Sequence, residues 1–393
     1  MLLFEDGKKM NILFLLRLWP VYGGGETVTI TLANEMVKRG WNVNVMYFKE
    51  NTRKVLPYIN PKIIVHHLEN IACDEFVAHE DDADKVRNYI KILIESQQID
   101  AVINQWYPVE YIKGLKGGRA KIVTCLHTAF FNPIFETRGA KGVLKRILKP
   151  FYMARKKRKC VKSVLRFLPY VDKYVFLSSA FKKQFLDFSK LVNTEALGAV
   201  SNPLVYNCTV SAKEILEKKN EVLLVGRMIE GPKKISLALQ IWSEIEKKES
   251  LKNWQFTLVG NGPDLEFYKN LAIKLNLKRV SFEGFQDPVP YYERAKIFLM
   301  TSAFEGFPMT LIEAAQFGVV PIAFDSFLSV HDIIIDGRNG RIIPNNDVKL
   351  YEQALITLME KQQELERLRS NAIVDCEKFK VSKIVDLWEK ILK

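Results

Sequence analysis

Short apolar runs recur along this chain, and each is followed by a turn and then by a segment with helical spacing of its apolar residues. The first series is Asn11–Leu16, Val43–Phe48, Ile63–Val65, Ala101–Ile103, Ile122–Leu126 and Val175–Ser179. The second is Glu221–Val225, Trp254–Val259, Val280–Gly284, Ile297–Met300 and Val319–Phe324. Runs this short and this continuously apolar suit strands buried on both faces, which are parallel strands joined by crossover helices. Two consecutive doubly wound α/β halves follow, although neither repeats the other in sequence. Such sheets bind ligands beyond the carboxyl ends of their strands, so the residues just after each run are the ones to inspect.

The length of 393 residues agrees with two domains rather than one core. We place the first at 1–208 and the second at 209–378, with the polar stretch Lys213–Asn220 as linker. The last segment, Val381–Leu392, carries Ile384, Val385, Trp388 and Ile391 on one face, and 379–393 is expected to be a closing helix that packs back on the first domain. The net charge of +13 favours anionic partners. Five dispersed cysteines (Cys73, Cys125, Cys160, Cys208 and Cys376) with no paired spacing fit free thiols in a reducing compartment. No apolar run reaches the ~20 residues that span a bilayer, and the opening Met1–Met10 has no signal-peptide pattern. Met10 is an alternative start, and a cytoplasmic location is expected.

The densest chemistry lies at Glu305-Gly306-Phe307-Pro308-Met309-Thr310-Leu311-Ile312-Glu313. It follows the run Ile297–Met300 and enters a helix stopped by Gly318, with Pro308 expected in the helix's first turn. Glu305 then stands before a helix N-terminus, and Glu313 is expected two turns into the helix. The helix end attracts an anion and the acids hold hydroxyls, a combination that fits a polyol bearing phosphate, such as a nucleotide sugar. The same residues also fit a capped helix with a solvated acidic face.

In the first half, Gly23-Gly24-Gly25-Glu26 sits in a strand–turn–helix–strand unit, where a phosphate would approach or where the chain merely turns tightly. His127 ends the run Ile122–Leu126, facing a ligand or satisfied locally; His66, His67 and His79 lack ligand spacing, and no metal site is assigned. Residues 138–166 hold many Lys and Arg, no acid, and interleaved Leu, Phe151, Tyr152 and Met153. A basic helix with apolar residues fits an anionic membrane surface or a solvated helix; no nucleic-acid motif accompanies it.

Taken in order, these motifs resemble the retaining GT-B glycosyltransferases of family 4, over nearly the whole chain and most strongly from Val222 to Ile343. Glu305 to Glu313 is similar to that family's Glu-x7-Glu motif, Gly226-Arg227 with Lys233 to its Gly-Arg…Lys motif, Gly23-Gly24 to its acceptor-half glycine loop, and His127 to its histidine. The resemblance implies two Rossmann-like domains facing across a cleft. It also implies hexose transfer from a nucleotide sugar, with a UDP-sugar expected, and no cofactor or metal. Arg227 and Lys233 would clamp the donor diphosphate, and Lys233 is preferred over Lys234 because the helix phase through Ile235, Leu237, Ala238 and Ile241 matches. Glu305 would hold the sugar and Glu313 the ribose. His127 would contact the sugar near its anomeric carbon, and Gly23 and Gly24 would admit the phosphates. Gly226, Gly260, Gly284, Phe285, Gly306, Phe307, Pro308 and Met309 complete the implied donor site. The implied partners are a nucleotide sugar and a glycan or lipid-linked acceptor in cell-surface polysaccharide or lipopolysaccharide synthesis. With the basic segment, a peripheral position at the inner face of the membrane is expected.

The chain departs from the family at Asn202-Pro203, which lacks a glycine, and at Ser326-Phe327-Leu328-Ser329-Val330-His331-Asp332, where Gly-Gly and a later Glu are usual. A sugar-nucleotide epimerase and a catalytically idle sugar-nucleotide-binding subunit are the rival functions; the intact motif set disfavours both.

Overall fold

Parallel pairing dominates the computed structural model, which describes residues 9–20, 24–50, 58–71, 80–105, 107–131, 149–206 and 217–393. The chain forms two units, Met1–Val205 with Val381–Lys393, and Tyr206–Lys380. The first unit's sheet contains β1 (Asn11–Leu15), β2 (Asn42–Tyr47), β3 (Ile64–His67), β4 (Ala101–Asn104), β5 (Lys121–Leu126), β6 (Lys173–Phe176) and β7 (Leu197–Ala199). Their order across the sheet is β3-β2-β1-β4-β5-β6-β7. β1 lies in the middle with Ile12 level with Val43 on one side and Ala101 on the other. Strand order therefore reverses between β1 and β4, which makes that gap the switch point of the sheet.

The second unit repeats this plan. Its strands are β8 (Glu221–Val225), β9 (Gln255–Val259), β10 (Val280–Gly284), β11 (Ile297–Met300), β12 (Val320–Asp325) and β13 (Arg341–Pro344). They lie in the order β10-β9-β8-β11-β12-β13, all parallel, so the switch point falls between β8 and β11. The doubly wound α/β reading of the sequence is correct for both halves. It omits β7 and β13, strands that carry the sheets' last edges.

Helices form where the apolar spacing is near 3.6. In Gly24–Lys38 (α1), Val28, Leu32, Ala33, Met36 and Val37 are buried in one stripe. In Ile235–Glu246 (α3; the basic helix Lys149–Leu165 is α2) the stripe is Ile235, Ala238, Leu239, Trp242 and Ile245. Trp242 packs on Phe256 of β9 at 5.5 Å between ring centroids. Burying a side chain of this size contributes about 1.5–3 kcal/mol, so a few such residues fix each helix on its sheet. Met309–Gln316 (α4) is closed by Gly318, whose φ of +66° suits glycine and where a Cβ would lie 3.0 Å from Ile373 Cδ1.

The closing helix Val381–Leu392 (α5) belongs to the first unit. It buries Ile384, Val385, Trp388 and Leu392. Arg39 of the loop after α1 ties it down, with Nη1 donating to Asp386 Oδ1 at 2.6 Å and Nη2 to the Ser382 carbonyl at 2.5 Å. Ile391 lies against Gly198 of β7, where a Cβ would come within 2.9 Å of its Cδ1.

Candidate active site

The second unit's switch point brings together residues from the ends of β8 and β11. After β8 come Gly226, Arg227 and the short helix Glu230–Lys233; Lys234 then turns into the left-handed region at φ +51° before α3 begins. That break separates the two lysines' directions. Lys233 Nζ reaches Glu305 Oε1 at 2.6 Å, with the two side chains 23% and 14% exposed. Lys234 makes no ion pair among the described residues. Thr301 Oγ1 donates to the carbonyls of Lys233 at 3.2 Å and Lys234 at 3.0 Å, and Ala303 N–H to the Pro232 carbonyl at 2.7 Å. The loop after β11 is thus bound along its length to the lysine turn. Arg227 is exposed and makes no ion pair among the described residues, so its guanidinium is available to an anion.

Beside this pair three strand ends close on one another through backbone alone. Gly226 N–H donates to the Val259 carbonyl at 3.0 Å and Gly260 N–H to that of Gly284 at 2.7 Å. Gly260 sits at φ +138°, and a Cβ there would lie 1.9 Å from the Gly226 carbonyl oxygen. A side chain at Gly226 would stand 3.9 Å from Lys233 Nζ. The carboxyl edge of β8, β9 and β10 is therefore a wall of main chain, with Phe285 next to it at 52% exposure.

Three expectations for α4 need correction. The helix starts at Met309, so Pro308 precedes it rather than occupying its first turn. Glu313 is its fifth residue, one turn in rather than two, because the helix begins only after Pro308. Glu313 is also buried, at 7% exposure, and not on a solvated face. Tyr292 O–H donates to Glu313 Oε2 at 2.9 Å. Burial pushes the Glu313 carboxyl up to about 7, while the Tyr292 bond pulls the other way. Phe307, at 5% exposure, packs edge-on against Phe379 with centroids 5.4 Å apart, so its ring anchors the loop. Sequence reasoning missed Thr301 and Tyr292; a hydroxyl at the end of the apolar run Ile297–Met300 is the only signal for Thr301, and Tyr292, inside the short helix Val289–Arg294, gives none.

In the first unit the equivalent switch point sets an uncharged amide–imidazole pair beside Arg17, just past β1, and Glu26, in the first turn of α1; burial pushes the Glu26 carboxyl up, and the Arg17 charge pulls it back. Gln105 follows β4, with its N–H donating to the Leu15 carbonyl of β1 at 3.2 Å. Its Oε1 is hydrogen-bonded by His127 Nε2, at the end of β5. Burial pushes His127 down to about 4, so the imidazole is uncharged near neutrality and Nε2–H is the donor. Cys125, Val28, Leu32, Asn202 and Trp388 line the hollow in front of it. Gly23 lies outside the described residues. Gly24 opens α1, and a Cβ there would meet nothing within 4 Å, leaving open space at that helix end.

Of the basic segment, 138–148 lies outside the described residues. The rest is Lys149–Leu165 (α2), with only Val164 buried and Phe151 and Tyr152 at 78% and 46% exposure. Among the described residues Cys125, Cys160 and Cys376 are free thiols, no cluster of three or more His, Cys, Asp or Glu is arranged for a metal, and no helix is long and apolar enough to cross a membrane.

Comparison with known proteins agrees with this layout. Residues 209–375 match the family Glycosyl transferases group 1, and residues 22–193 match Glycosyltransferase Family 4. An uncharacterized glycosyltransferase of Haemophilus influenzae is 23% identical over 375 residues, covering 94% of this chain and 96% of that protein. The lipopolysaccharide 1,6-galactosyltransferase of Salmonella typhimurium is 29% identical over 182 residues, covering 44% of this chain and 49% of that protein, about half its length. Among solved structures, HepE of Anabaena in complex with UDP and glucose superposes with a TM-score of 0.68 at 18% identity, covering 98% of this chain and 99% of that one.

Proposed function

We propose that this chain, which belongs to the group 1 and family 4 glycosyltransferases of GT-B fold, moves a hexose from a UDP-sugar to a lipid-linked or membrane-proximal glycan with retention at the anomeric carbon. The observation that carries the proposal is the Lys233–Glu305 pair at the second unit's switch point. A cation and a carboxylate side by side beyond the strand ends support a reading in which Lys233 meets the departing diphosphate and Glu305 the sugar hydroxyls. The names of the Salmonella relative and of the HepE complex support the lipopolysaccharide context and the UDP-sugar donor.

In this scheme the donor diphosphate takes Lys233 from Glu305 and adds Arg227, whose planar fork suits paired phosphate oxygens. Glu305, released, accepts from the sugar's hydroxyls. Glu313 ionises and accepts from the ribose. The main-chain wall at Gly226, Gly260 and Gly284 leaves room for the nucleoside, and Phe307 and Met309 offer backbone N–H groups to negative charge at the start of α4, with Pro308 between them setting the turn. His127, neutral, is assigned to the transferred sugar. The acceptor oxygen attacks the anomeric carbon on the face from which the phosphate leaves; the C–O bond to phosphate breaks, the new glycosidic bond forms, and the acceptor proton passes to a phosphate oxygen. Positioning and charge stabilisation supply the rate, with no protein nucleophile.

The test is nucleotide release from UDP-glucose, UDP-galactose and UDP-N-acetylglucosamine by the wild type, Lys233→Ala and Glu305→Ala, with the product anomer read by NMR. Turnover near wild type in both variants, or an inverted product, would sink the proposal. The exposed Phe151 and Tyr152 on basic α2 support the membrane-proximal acceptor. Flotation with anionic liposomes at low salt tests it, since attraction is strongest there and failure to float refutes it.

A further inference from the structure

The departure at Ser326–Ser329 is where the loop bearing Glu305 is held. Ser326 Oγ donates to the Ser302 carbonyl at 2.5 Å, and Ser329 Oγ donates to the Gly306 carbonyl at 2.7 Å. Those two carbonyls bracket Glu305, one on each side. Both serines are buried, at 9% and 0% exposure, so water cannot substitute for either hydroxyl. Ser329 also stands immediately before the short helix Val330–Ile333. A serine there ordinarily turns its oxygen onto the helix's own N–H groups. Here it makes no such cap bond and points to Gly306 instead. The neighbouring Phe327 is 7% exposed, which fixes the loop from which both hydroxyls project.

We propose that Ser326 and Ser329 are positioning residues for Glu305: they pin the backbone on either side of it so that its carboxylate meets Lys233 and the donor sugar at a fixed place. The proposal rests on the donor-site assignment above. The lysine turn holds the same loop from the other side through Thr301 and Ala303. The Glu305 loop is therefore clamped between two segments, and each serine removes one mode of movement from a carboxylate that must change partner during the cycle. A serine that only satisfied a buried carbonyl would matter for stability and not for turnover.

The experiment compares Ser326→Ala and Ser329→Ala in the full chain by hydrogen exchange, UDP binding and UDP-sugar turnover. Exchange of peptides covering 302–309 should quicken, with peptides from β8 and β9 unchanged. Turnover should fall about tenfold or more, towards the ~100-fold that a 1 Å misplacement costs. The Kd for UDP should stay within about twofold, because the phosphate clamp is untouched. Should Ser329→Ala fold poorly, Ser326→Ala tests the other end alone, and Ser326→Thr, which keeps the hydroxyl, should restore both exchange and turnover. Unchanged exchange at 302–309 in both alanine variants overturns the tether, and quickened exchange with full turnover overturns the positioning role. If the wild type turns over none of the UDP-sugars, the donor-site assignment fails instead, and the exchange data still decide the tether.

Discussion

At the strand reversal of the second unit, Lys233 and Glu305 meet at 2.6 Å, and the neighbouring strand ends are bare main chain. At the equivalent reversal of the first unit, Gln105 holds an uncharged His127 in a hollow lined by Val28, Leu32 and Cys125. The strand order around the reversal is the same in both, the first sheet carrying one further edge strand, so the sheet decides where a site can stand and the loop residues decide its chemistry. The second unit sets an ion pair and an exposed Arg227 against bare main chain. The first sets an uncharged amide–imidazole pair and apolar surface beside Arg17 and Glu26.

That contrast breaks most easily at the charged pair. Lys233→Ala and Glu305→Ala should each cut nucleotide release by about 10³-fold, the scale of a lost transition-state charge partner, with the melting midpoint within a few degrees of wild type. Arg227→Ala should weaken UDP binding about tenfold, measured by calorimetry, since an exposed guanidinium loses a charge-assisted bond but no packing. His127→Ala should lower turnover while leaving UDP affinity unchanged; weaker UDP binding there would erase the proposed division of labour.

Gly260→Ala probes the main-chain wall by stability alone. Its left-handed backbone and its approach to Gly226 should cost more than about 1 kcal/mol in denaturant unfolding.

The smallest effects are titrations, and the two units should show opposite signs. Glu313, raised from its ordinary 4.5 to about 7, holds a proton in the fold that the unfolded chain gives up. Its contribution is fully favourable below pH 4.5 and is lost as pH rises through about 7. His127, lowered from 6.5 to about 4, refuses a proton that the unfolded chain accepts. Its contribution is intact above pH 6.5 and is lost as pH falls towards about 4. Unfolding measured across this range should lose its alkaline decline in Glu313→Gln and part of its acid decline in His127→Gln.

Much of this was legible in the sequence because strand and site share one signal. An apolar run that stops before Gly226-Arg227, or at Met300 ahead of Glu305, marks a strand end, and the carboxyl ends of such strands are where open α/β sheets bind ligands. The family resemblance preferred Lys233 over Lys234; the left-handed turn falls at Lys234, and it is Lys233 that pairs with Glu305. The start of α4 was misplaced because Pro308 fits either side of a helix boundary. What stayed hidden are partners set by the fold: His127 meets Gln105 across 22 residues, Glu313 meets Tyr292 across 21, and Ser329 meets Gly306 across 23. No periodicity spans such gaps. The serine loop read as a loss of glycines, when its hydroxyls bind the backbone around Glu305.

The most direct test of the donor-site claim is a thermal-shift comparison of UDP, GDP and ADP on the wild type and Lys233→Ala. A ligand at 100 times its Kd stabilises the folded state by about 2.7 kcal/mol, enough to move the midpoint by several degrees. UDP should raise the wild-type midpoint and leave that of Lys233→Ala in place. An equal shift in both proteins, or no shift of the wild type by any of the three, would contradict the assignment of Lys233 to the diphosphate.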